Sequence, residues 1–244
     1  MSVTRTPSVW LLSLKSTITG ITEGWFIRTT KRARMPLLLV LASALGIDAA
    51  HAQNAEPANA PTLLIVGDSI SAGFGVAVEQ QWPKLLEQKL QAEFPQLTVV
   101  PAAISGDTTS GGRARLPQLL SRHQPDVVMI ALGGNDGLRG TPVTVIRQNL
   151  LAMTQAVQKS GATALIAGMQ IPPNYGPQYT QQFRDAYPAV AEATGADLMP
   201  FLLDEVALTP GMMQEDGIHP SEAAQPTLAD NVFQYVSAAV RASQ

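Results

Sequence analysis

Five short apolar runs, alternating with segments of helical periodicity, constrain the fold of this chain more than any other feature. The runs occupy residues 63–66, 97–100, 126–132, 163–169 and 197–201. The best of them are continuous rather than alternating, as expected of strands buried on both faces. Between them, apolar residues recur at helical spacing. Trp82, Leu85, Leu86, Leu90 and Phe94 form one such face, and Ile146, Leu150, Met153 and Val157 another. Further helices are expected through residues 116–120, over about 179–193, and in the last segment, where Ser221 stands as N-cap before Leu228, Val232, Val236 and Val240. Such alternation with short connections predicts an α/β fold in which helices cover both faces of a parallel sheet.

Open sheets of this kind bind ligands at the carboxyl ends of their strands. The first run stops there at Gly67-Asp68-Ser69, which puts a hydroxyl on the productive edge. Alone, Ser69 would be as well explained as a turn cap. A serine nucleophile also needs a base, an orienting carboxylate and donors aimed at the developing oxyanion. His123 falls at a helix end on the opposite edge, before Pro125, where a solvated residue is the simpler reading. His219 falls on the productive edge, three residues after Asp216. One turn of Asp-x-x-His lets the carboxylate hold Nδ1 and leaves Nε2 for Ser69. Three oxyanion donors are available: the Ser69 N–H, the Gly106 N–H and the Asn135 side-chain amide. Asp68 is better suited to local backbone N–H groups, and Asp107 to a helix N-cap.

Taken together, Gly67-Asp68-Ser69-Ile70, Gly106, Gly133-Gly134-Asn135-Asp136 and Asp216-x-x-His219-Pro220 resemble the four blocks of the SGNH (GDSL) hydrolases. The likeness spans residues 61–242, in order and spacing. It is nearest to the periplasmic bacterial thioesterase I/protease I/lysophospholipase type, arylesterases among them. The resemblance implies a three-layer α/β/α, flavodoxin-like, five-stranded parallel sheet. It implies Ser69 as nucleophile, His219 as base and acid, Asp216 as its partner, and Ser69, Gly106 and Asn135 as the oxyanion hole. It further implies substrates that are acyl esters and thioesters, small or lipid, with Leu138, Ile171, Pro173 and Tyr175 in loops that contact the acyl chain. Ile70 stands where the family usually has Leu, a conservative packing change.

Residues 1–52 read differently. Lys31-Arg32-Ala33-Arg34, an apolar run over 35–46 and Ala50-His51-Ala52 have the order of a secretory signal peptide. That run is too short for an ordinary membrane span. An exported, periplasmic or secreted protein is expected, with a flexible leader over 53–60 and one hydrolase domain over 61–244. Of 16 Lys/Arg and 19 Asp/Glu, six and two lie in residues 1–52, leaving ten and seventeen. A net charge near −7 argues against a nucleic-acid partner. The chain has no Cys, which excludes thiolate chemistry and disulfides, and too few His for a His-rich metal site. No cofactor is expected, and the chain is expected to be a monomer. Two rival readings are a carbohydrate acetyl esterase on the same machinery and a flavodoxin-like phosphate-binding module. The second is opposed by Asp68, which would repel phosphate.

Overall fold

The structure is a computed structural model that describes residues 60–244. The expected signal peptide and most of the leader lie outside the described residues. Five strands form one parallel sheet in the order β2-β1-β3-β4-β5, with β1 Thr62–Gly67, β2 Thr98–Ala103, β3 Val127–Ala131, β4 Thr163–Ala167 and β5 Asp197–Met199. The continuous apolar runs become β1, β3 and β4, whose interiors are fully buried. β2 and β5 are the edges. The strand formed from the second run continues through Pro101 to Ala103, three residues past the end of that run. Proline removes one ladder donor, and an edge strand has a free side on which that loss is tolerated.

Helices α1 (Trp82–Glu93) and α6 (Gln225–Ser243) pack together on one face of the sheet. Helices α2 (Thr109–His123), α4 (Val143–Lys159) and α5 (Pro177–Thr194) pack side by side on the other. The expected three-layer α/β/α architecture is therefore the observed one. Strand order reverses between β1 and β3, and at such a switch point the loops diverge and leave a crevice. Among the described residues, no helix is long and apolar enough to cross a membrane.

Several local expectations change. Beyond β3, residues Gly134–Leu138 form a one-turn helix, α3. Gly133 precedes it at φ 122°, and a Cβ there would lie 2.1 Å from the Tyr187 hydroxyl, so only glycine fits. Thr108, not Asp107, caps α2, its side chain accepting from the Gly111 N–H. Ser221 precedes a short 3-10 turn at Glu222–Ala224 rather than α6, and its Oγ donates to the Gly211 carbonyl. Residues 202–212 fold as consecutive turns.

Candidate active site

The crevice is built from the loops after β1, β2 and β3 and the turn before α6. Beyond Gly67 the chain coils immediately: Ala72 N–H donates to the Asp68 carbonyl, and Phe74 N–H to the Ser69 carbonyl. The buried Trp82 braces this coil by donating its Nε1–H to the Ile70 carbonyl at 3.0 Å. Ser69 is thus held at the strand edge, with its side chain facing the turn that carries His219.

His219 Nε2 lies 2.9 Å from Ser69 Oγ, and its Nδ1 lies 2.6 Å from Asp216 Oδ2. The other Asp216 oxygen accepts from the Ile218 and His219 backbone N–H groups. The His219 ring bond, followed by those two N–H groups, lowers the Asp216 carboxyl to about 2, so it stays anionic. A carboxylate can only accept. The neutral imidazole therefore carries its proton on Nδ1 and turns an unprotonated Nε2 toward the serine hydroxyl.

Asn135 sits in α3, across the crevice from this relay. Its Nδ2 donates to Asp68 Oδ2 at 3.3 Å, while Asp68 Oδ1 accepts from the Ile70 N–H. Asp68 therefore does bond local backbone, as expected, and also fixes which way the Asn135 amide points. The second Nδ2 hydrogen is left for another acceptor. Burial is the main influence on Asp68, pushing its carboxyl up to about 6 against the pull of these two donors and of His219. Asn135 does not occupy a left-handed position; that strain falls on Gly133.

Gly106 has φ 78° in the loop after β2, and that loop is tied to β1 by the Ile104 N–H donating to the Gly67 carbonyl. Among the described residues, neither the Ser69 nor the Gly106 N–H has a hydrogen-bond acceptor. Arg139 donates to the Gly106 carbonyl, joining this loop to the end of α3. Beneath it, Asp107 pairs with Arg115, whose guanidinium also donates to the Ala102 and Gly67 carbonyls. The start of α2 is fastened to α3 as well: Thr109 donates its N–H and hydroxyl to the buried Asp136 carboxylate. His123 ends α2 at the far edge of the sheet, away from all of this.

A pocket of about 520 Å³ opens beside the relay, lined by Ile70 next to Ser69, Gly134 next to Asn135, and Ile218 next to His219. Leu138, Ile171 and Pro173 line it, as their loops suggested. Tyr175 does not. It faces a separate shallow depression, and its hydroxyl donates to the Leu138 carbonyl, bracing one pocket loop against the other. Among the described residues, no group of three His, Asp or Glu could hold a metal ion.

Two neighbours of the relay carry no sequence signal of their role. Phe74 lays its ring on His219, with centroids 4.5 Å apart. Gln214 donates to the Phe74 and Pro220 carbonyls from its side chain and to the His219 carbonyl from its backbone.

The profile of the GDSL-like Lipase/Acylhydrolase family matches residues 65–225. Esterase TesA of Pseudomonas aeruginosa is 51% identical over 178 residues, which cover 73% of this chain and 89% of that protein. Thioesterase 1/protease 1/lysophospholipase L1 of Escherichia coli K12 is 46% identical over 173 residues, covering 71% and 82%. Among solved structures, the psychrotrophic esterase EstA from Pseudoalteromonas sp., inhibited by monoethylphosphonate, is similar with a TM-score of 0.71 and 38% identity. That match covers 74% of this chain and 98% of the other.

Proposed function

The chain belongs to the GDSL-like lipase/acylhydrolase family and is an ester hydrolase; from that premise we propose that it cleaves acyl esters, aryl esters among them, and acyl thioesters through an acyl-enzyme on Ser69. The observation that carries the reading is the unbroken relay from Asp216 through His219 to Ser69, at 2.6 and 2.9 Å. Ser69 Oγ attacks the acyl carbon while His219 Nε2 takes its proton. The carbonyl oxygen becomes an oxyanion facing the Ser69 and Gly106 N–H groups and the Asn135 amide. When the bond to the leaving oxygen or sulfur breaks, the Nε2 proton goes to that atom. Water then enters, gives a proton to the same Nε2 and attacks the acyl-enzyme. The intermediate collapses as its bond to Ser69 Oγ breaks, Nε2 returns its proton to that oxygen, and the acid is released.

Leu138, Ile171 and Pro173 offer an apolar wall to the acyl chain. A carbohydrate acetyl esterase needs room only for a methyl group, so a pocket of this size favours longer acyl chains over that rival. A chain-length series of p-nitrophenyl esters and acyl-CoAs separates the two. Residues 31–52 support action after export, in the periplasm or outside the cell. Ser69→Ala tests the whole scheme: turnover should vanish in a protein whose circular dichroism is unchanged. Hydrolysis at the wild-type rate by that variant would remove the serine mechanism.

A further inference from the structure

We propose that the Phe74 ring is the leaving-group platform of this site, selecting esters and thioesters of planar aromatic alcohols and thiols. The inference rests on the Ser69–His219 reading and adds a subsite to it. Proton delivery dictates where a leaving group must be. His219 Nε2 serves the leaving atom, so that atom sits against the imidazole and its substituent continues past the ring. The acyl side is accounted for by the pocket of Ile70, Leu138 and Ile171, which Phe74 does not line. What lies beside His219 instead is Phe74, 51% exposed, with ring planes inclined by 35°.

This exposure differs from that of a stray surface side chain, because the residue is clamped. Gly73 and Gly75 both adopt positive φ, 61° and 76°, turning the backbone sharply on either side. Phe74 N–H donates to the Ser69 carbonyl, and its own carbonyl accepts from Gln214 Nε2 at 2.7 Å. Gln214 in turn donates its backbone N–H to the His219 carbonyl at 2.8 Å. One aromatic ring is therefore referenced to both the nucleophile loop and the histidine loop. A second flat ring can stack or meet it edge-on. A small alkoxide such as ethoxide gains nothing from it.

The test compares kcat/KM for phenyl butyrate and ethyl butyrate in wild type, Phe74→Ala and Phe74→Trp. This quantity covers binding and acylation only, so the common deacylation step drops out. Dividing each variant's phenyl-to-ethyl ratio by that of the wild type cancels intrinsic leaving-group reactivity. The ratio should fall about tenfold in Phe74→Ala and recover in Phe74→Trp. If Phe74 served only to support His219, ethoxide, the poorer leaving group, would suffer at least as much. An unchanged or rising ratio therefore overturns the platform while leaving the serine mechanism intact. A wild type unable to hydrolyse either ester would overturn both.

Discussion

Replacing Asp68 with Asn should make the protein more stable and less active at the same time. Asp68 is 1% exposed, and its carboxyl is raised from 3.8 to about 6, burial being the largest cause. Between those values the folded protein keeps a proton that the unfolded chain has released, so stability falls as pH rises through about 4 to 6. A rise of about two pH units means that the ionised carboxylate costs the folded state about 3 kcal/mol at pH 8. Asparagine removes that penalty, but its amide turns a donor toward the Asn135 Nδ2, a lost hydrogen bond worth about 1 kcal/mol. The net gain is about 1–2 kcal/mol, or a rise in Tm of about 3–6 °C at pH 8. At pH 4 the folded wild type has already bound its proton, and the gain should disappear. Catalysis responds in the opposite direction. Asn135 loses the acceptor that orients its amide, so kcat should fall by about 10–100-fold with KM nearly constant. Thermal unfolding by circular dichroism at both pH values, with steady-state kinetics at pH 8, reads both halves. An Asp68→Asn protein less stable than wild type at pH 8, or equally stabilised at pH 4, would refute the reasoning.

Truncating the proposed oxyanion donor, Asn135→Ala, should lower kcat by about 10²–10³ with little change in KM; a loss confined to KM would make Asn135 a binding residue. His219→Ala should remove most activity, whereas His123→Ala, at the far edge of the sheet, should be indistinguishable from wild type in rate and pH profile. Asp216, lowered to about 2 by the His219 ring and two backbone N–H groups, should stay anionic and add no limb of its own to the kcat/KM profile above about pH 4. Leu138→Trp should shift the chain-length optimum toward shorter acyl groups by filling the pocket, which a p-nitrophenyl ester series would show.

How much of this was legible beforehand follows from how local each determinant is. β1, β3 and β4 announce themselves because a strand buried on both faces needs a continuous apolar run. Asp216 and His219 announce themselves because one turn of chain brings them together. The ends of elements were harder. Thr108 and Asp107 are equally good capping residues, and Asp107 instead accepts from Arg115, further along the same helix α2. Ser221 found the Gly211 carbonyl, ten residues back, in place of a helix N-terminus. The support of the relay was invisible for the same reason. Asp68 meets Asn135 across 67 residues, and Gln214 meets Phe74 across 140. No spacing rule relates such pairs; only the folded sheet brings them together. Tyr175 shows the converse: Ile171 and Pro173 of its loop line the pocket, while its own side chain braces Leu138 from outside.

Ser69 Oγ is the atom proposed to bond to the acyl carbon of the substrate. Incubating the protein with a fluorophosphonate, digesting it and mapping the adduct by mass spectrometry tests this directly. One phosphonyl group per chain is expected, located on the peptide containing Ser69 and absent from Ser69→Ala. An adduct on another serine, or full labelling of Ser69→Ala, would contradict it.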